Sequence, residues 1–172
     1  AFNTDGLRSL AVTLAVPHMV EKTMRYPGHA DQMRAFRAAG LFSKEEIVVG
    51  GARVRPLDVT SAVLFPKWTY AEGEEDLTAL RVEAEGSEHG RRIRVVYELL
   101  DFYSQRERAT SMSRTTALPC ALFARMLATG RWSQPGVVAP EALGADETLT
   151  REVLQGLAAR GVDVTERVLA LD

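Results

Sequence analysis

Apolar residues recur along this chain at two spacings, every third or fourth position in some stretches and every second in others, and the switches between them mark its elements. Leu7, Leu10 and Leu14 share one face of a short helix that Asn3 or Thr4 can cap and that Pro17 ends. Met19 to Tyr26 alternates as a strand, with Val20, Lys22, Met24 and Tyr26 set against Glu21, Thr23 and Arg25. Pro27-Gly28 breaks it. His29 to Ala39 then carries Met33, Phe36 and Ala39 at helical spacing, with Gly40 at the stop. A loop holding Gly50-Gly51 follows, and a helix opens at Pro56, runs through Leu57, Ala62, Val63 and Phe65, and closes at Pro66.

The second half begins with two alternating stretches, Leu77 to Val82 and Arg92 to Phe102, joined by a Gly86-to-Gly90 segment with the composition of a hairpin loop. Arg94, Val96 and Glu98 should face away from Val95, Tyr97 and Leu99, and the apolar content of this second strand predicts a central place in its sheet. Ala109 to Thr129 reads as a long helix burying Leu118, Leu122 and Met126, with Gly130 as its terminator and Pro119 as a kink or new start. Thr148 to Ala159 is the last helix, Gly161 follows it, and Val162 to Leu171 is a final strand. The sum is an α+β protein: a single mixed, mainly antiparallel sheet covered by helices on one face, plus a helical C-terminal segment. The other face of such a sheet is free, and an apolar one would suit a twofold partner.

Composition narrows the function. The 172 residues, 46% hydrophobic and 26% charged, suit one folded unit spanning residues 1–172. Basic and acidic residues number 21 and 23 and are scattered, so no nucleic-acid track forms; Arg91, Arg92 and Arg94 are soon balanced by Glu98 and Asp101. One cysteine, Cys120, excludes an internal disulfide and fits a reducing cytoplasm. No apolar run is long enough for a bilayer, and no export signal opens the chain, which predicts a cytoplasmic protein without a membrane partner. The start at Ala1, without an initiator methionine, suggests a fragment.

Metal chemistry has little support, because His18, His29 and His89 lie far apart without companion ligands. Cys120, after a proline and with no histidine nearby, reads as a small buried hydrophobe. No glycine-rich strand-to-helix turn is present for a dinucleotide, so no cofactor-binding residues are assigned, and Gly50-Gly51 reads as a turn. Two clusters remain. In Thr23-Met24-Arg25-Tyr26-Pro27-Gly28-His29, an arginine and a threonine at a strand end stand beside a rigid turn and a helix start, and both arginine forks and helix N-termini favour carboxylates. An ion pair between Arg25 and a surface acid, with Pro27-Gly28 as a plain turn, accounts for the same residues. Ser111-Met112-Ser113-Arg114-Thr115-Thr116 offers hydroxyls and an arginine at the start of the long helix, for an anion or simply as a solvated cap.

Both clusters resemble segments of the saccharopine dehydrogenase family, in the C-terminal region of its short single-function members and of the related lysine dehydrogenases. The first, continuing to Met33, Phe36, Arg37, Gly40, Leu41 and Phe42, is similar to that family's threonine, apolar, arginine, tyrosine, x, glycine segment and adjoining helix. Ser113 to Ala121, continuing through Met126-Leu127, Gly130 and Gly136 to Glu141, resembles its second signature, and Phe2 to Arg8 is similar to its opening segment. The resemblance covers nearly the whole chain, with 43–90 its least informative part. It implies a C-terminal substrate-binding and dimerisation domain of an NAD(P)-dependent oxidoreductase acting on the CH–NH bond of an amino acid such as lysine. NAD or NADP would then be held by a Rossmann domain outside this chain. The partners implied are a carboxylate-bearing amino acid, that Rossmann domain and a second copy in a homodimer. Arg25 becomes the first choice for a carboxylate clamp, with Thr23, Tyr26, Gly28 and His29 around it and Arg114, Thr115 and Thr116 facing an interdomain cleft. No catalytic proton carrier is assigned. His29 stands where fungal saccharopine reductases have an aromatic and agrees with bacterial lysine dehydrogenase-like members. A non-enzymatic dimerisation or scaffold domain is the alternative.

Overall fold

The computed structural model describes residues 1–171. Strand β6 (Arg91–Phe102) is the centre of its largest sheet, flanked by β5 (Leu77–Glu88) and β7 (Val164–Ala170), both antiparallel to it. The β5–β6 hairpin runs further than alternation predicts, because the chain reverses on two residues only, His89 (φ 50°) and Gly90 (φ 78°). Two successive positive φ values make the mirror-image turn whose twist matches that of paired strands. The rest of the presumed loop stays in the ladder, as far as Glu88 opposite Arg91.

The two faces of this sheet differ. Leu99 shares its face with Tyr97, Val95 and Asp101, and it packs with Leu157, Val162, Leu118 and Leu122 from the helical side. The covering helices are α4 (Ser111–Ala128) and α5 (Glu147–Ala158), with a 3-10 turn at Pro140–Ala145 before α5. Gly156 lets them approach closely, since a Cβ there would meet Leu122 Cδ2 at 2.8 Å. Cover fades toward the hairpin: on the same face Val82, Leu80 and Val168 stay exposed, and Tyr97 sits opposite Glu166. Burial, then the Glu166 charge, push the Tyr97 hydroxyl above its usual pKa.

The face turned away from the helices is not apolar. Arg81 pairs with Glu83 at 2.6 Å and Glu98 at 3.2 Å, Arg94 with Glu85 at 2.6 Å, and Arg167 with Glu98. These long side chains close over Val96, which is only 1% exposed although both its neighbours on β6 point the other way. An apolar free face, the condition for a twofold partner there, is not found: that face carries a lattice of charges, and the uncovered apolar strip lies on the helix side.

Contacts divide the chain into two compact units, Ala1–Glu72 and the remainder from Gly73, where length suggested one. The first unit has two further sheets of two strands each: β1 (Phe2–Asn3) with β2 (Lys22–Thr23), and β3 (Ile47–Val49) with β4 (Ala52–Val54). The α+β class holds, but the single mixed sheet becomes three antiparallel ones. Met19 to Tyr26 alternates throughout, yet only Lys22–Thr23 pairs, because β1 offers two residues to bond with. Gly50 (φ 58°) and Gly51 (φ 84°) close the β3–β4 hairpin.

Three helices complete this unit. The first, α1 (Leu10–Thr13), is shorter than predicted, while α2 (His29–Ala38) falls where the spacing places it. The third, α3 (Pro56–Trp68), runs through Pro66. Its apolar residues are not confined to one face, and Val59, Val63, Phe65 and Trp68 are exposed. No residue of 1–72 is buried. Among the described residues no helix is long and apolar enough to cross a membrane.

Candidate functional site

The first cluster is built from the chain's opening segment outward. Glu21 accepts from the Gly6 amide at 3.2 Å and from the Thr4 hydroxyl, while Thr23 Oγ1 lies 3.0 Å from Thr4 Oγ1 and 3.4 Å from Glu21 Oε1. A Cβ on Gly6 would meet Glu21 Cδ at 2.6 Å, so a side chain there would push the Glu21 carboxylate out of this latch. Thr4 is thus a clasp rather than a helix cap, and Thr23 is half-buried in the same knot. The latch sets Phe2 against the start of α2.

Arg25 follows at the end of β2, exposed, with its Nη1 donating to its neighbour Met24's carbonyl at 2.8 Å and no acidic partner among the described residues. It lines a groove of about 240 Å³ with Phe2, Tyr26, Gly28 and Arg34. Gly28 is the N-cap of α2 at φ 87°, a conformation that favours glycine, and it leaves the first turn without a side-chain cap. The His29 amide bonds Tyr26 O at 3.2 Å, closing the turn. His29 lines a second groove, about 440 Å³, with Phe2, Met33, Arg34, Arg37 and Phe42. Phe2, Ala30 and Arg34 border both grooves. The predicted cluster therefore stays together around the first turn of α2, although Thr23 is turned into the latch and His29 faces a different groove from Arg25.

Arg37 was not singled out for chemistry from the sequence. His29, Met33 and Arg37 recur every four residues, and that spacing on one helix face was the available signal. Arg34 sits in both grooves but is engaged by Asp31 at 2.5 Å.

The second cluster is occupied by the protein itself. Thr110 caps α4 by accepting from the Ser113 amide at 3.2 Å, and the free amides of Ser111 and Met112 donate to the Asp76 carboxylate at 2.6 and 2.9 Å. The anion that the helix start invites is thus Asp76. Arg114 faces inward, buried, instead of facing a cleft. Its Nη1 donates to Asp101 Oδ1 at 2.7 Å and to the Phe102 carbonyl at 3.2 Å, its Nε to Glu107 Oε2 at 3.0 Å, and its Nη2 to the Arg160 carbonyl at 2.8 Å. Hydrogen bonds from Arg106 and then Arg114 hold the Glu107 carboxyl below its usual pKa. Thr115 turns its hydroxyl back to the Ser111 carbonyl at 2.9 Å, and Thr116 is exposed. Arg114 as a ligand contact is therefore corrected: its charge is already matched within the fold. Cys120, expected to be buried, is exposed.

Gly50-Gly51 does not fit a dinucleotide cradle. Gly50-Gly51 closes a tight hairpin and lies at no strand-to-helix crossing, so the pyrophosphate has no cradle of backbone amides here.

The fold is an α+β one in which a polar clasp leads to an exposed arginine and a helix start without a side-chain cap. The model of the saccharopine dehydrogenase C-terminal domain matches residues 2–162, and the chain belongs to that family. It is also 31% identical over 132 residues, 76% of its length, to saccharopine dehydrogenase (NADP(+), L-glutamate-forming) of Schizosaccharomyces pombe. The match spans 27% of that relative's length. The family is one of amino-acid dehydrogenases, which are oxidoreductases.

Replacing Arg114 by alanine should cost the second unit roughly 3–5 kcal/mol by stranding Asp101, one of whose oxygens already lacks a hydrogen-bond partner. Urea unfolding measures this. Unchanged stability would show that the network contributes little.

Proposed function

We propose that this chain is the substrate-facing part of an NAD(P)-dependent dehydrogenase acting on the CH–NH bond of an amino acid, with Arg25 as the carboxylate clamp. The observation that carries this reading is the exposed Arg25 guanidinium, without an acidic partner, in a groove at the uncapped start of α2. An Arg fork beside free helix amides is well matched to a carboxylate. Tyr26 and Gly28 form the wall of that groove, and His29 and Arg37 form that of the adjoining one.

Hydride chemistry belongs to a nicotinamide held by another part of the polypeptide, and the residues here bind and orient the amino acid. A covering domain is supported by the exposed Val59, Val63, Phe65 and Trp68 of α3, apolar area that further protein would enclose. Family membership and the name of the yeast relative support the reaction class.

In the full-length protein, Arg25→Ala should lower kcat/KM for its amino-acid substrate by ~2–4 kcal/mol equivalent while leaving the melting temperature in place. Assays with lysine and with saccharopine check this, and an unchanged efficiency would remove Arg25 from the site. A full-length protein without any nicotinamide-dependent rate would favour the scaffold reading instead.

Homodimerisation is part of the same proposal, through the apolar strip of exposed Val82 and Val168, with half-buried Val95 between them, at the hairpin end of the sheet. Light scattering should give a dimer that Val168→Lys converts to a monomer. A strict monomer in the unsubstituted protein would contradict it.

A further inference from the structure

In the unit from Gly73, a groove of about 600 Å³ runs along α4 and α5, a size within the range of small-molecule sites. Its lining combines an apolar floor with concentrated positive charge. Leu122, Met126 and Val153 form the floor, and Arg125, Arg131, Arg160 and Glu152 contribute the charge, three guanidinium groups to one carboxylate. Arg131 Nε donates to Glu152 at 2.8 Å, which neutralises that pair and raises the arginine's pKa further. Arg160 spends Nη1 on the Gly156 carbonyl at 2.7 Å, a contact that leaves its charge unmatched. Arg125, exposed in the last turn of α4, has no acidic partner among the described residues. The groove thus carries two uncompensated positive charges above an apolar floor. Arg114 shows what this unit does with an arginine that it needs for folding: it buries it against carboxylates.

We propose that this groove binds a small organic anion with an apolar body, its anionic group on Arg125 and Arg160 and its body on Leu122, Met126 and Val153. An anion alone would gain little on so open a surface, because water screens it. Apolar contact with the floor adds the burial that makes the site selective. None of these residues belongs to the Arg25 groove, so the proposal stands or falls independently of the dehydrogenase reading.

Calorimetric titration of the full-length protein with phenyl phosphate tests it, with inorganic phosphate and benzyl alcohol as probes of each half alone. One-to-one binding is expected, weakened about tenfold or more when either half of the probe is missing or in Arg125→Ala, since each lost contact of this kind is a loss of about that factor. Arg91→Ala, at an exposed arginine of β6 that lines none of these grooves, should bind the probe as the unsubstituted protein does. Arg125→Lys, which keeps the charge and loses the fork, should fall between the two and serves if the alanine variant does not fold. The absence of saturable binding at millimolar probe, equal affinity for inorganic phosphate and phenyl phosphate, or unchanged affinity in both Arg125 variants would overturn the proposal. So would an Arg125 effect confined to the melting temperature, the mark of a residue that only steadies the end of α4.

Discussion

Everything in the unit from Gly73 is organised around one buried guanidinium. Arg114 on α4 reaches Asp101 and the Phe102 carbonyl on β6, Glu107 in the link between them, and the Arg160 carbonyl after α5. Four directed hydrogen bonds from one planar group fix the angle at which α4 crosses the sheet and the place where the chain turns into β7. Leu99, Leu157 and Val162 then pack in the space this defines. A buried ion pair is a weak source of net stability, because desolvation offsets most of its attraction. Its contribution here is geometric: only one arrangement of strand, helix and final turn satisfies all four bonds.

The unit 1–72 follows a different logic. It has no buried residue, and its most apolar helix, α3, stays open to solvent. Its order is polar, carried by the clasp of Thr4, Gly6, Glu21 and Thr23 and by the Gly28 turn into α2. Such a surface suits a part that is finished by contact with further protein, and it keeps Arg25 available where Arg114 is not.

The sequence made β6 legible because its two faces alternate cleanly, with Leu99 and Asp101 on one side and Val96 and Glu98 on the other, and its apolar content marked it as central. The α2 segment was equally clear, because Pro27-Gly28 and Gly40 punctuate it at both ends. At the start of α4 the sequence shows the arginine and the hydroxyls but not what engages them. Its arginine and free amides do attract anions, but Asp76, Asp101 and Glu107 supply them from within the chain. Those partners meet only after folding, so no local spacing reveals them. Strand Met19–Tyr26 failed for the related reason that pairing needs a neighbour, and β1 offers two residues.

The proposed function rests on a division of labour between two arginines, Arg25 exposed and available to a substrate, Arg114 buried and spent on the fold. A crystal structure of the full-length protein with its amino-acid substrate bound tests it most directly. The account predicts a substrate carboxylate at about 2.7–3.0 Å from the Arg25 guanidinium, with Arg114 still held by Asp101. A carboxylate seated on Arg114, or Arg25 folded onto an acidic side chain away from the ligand, would contradict it.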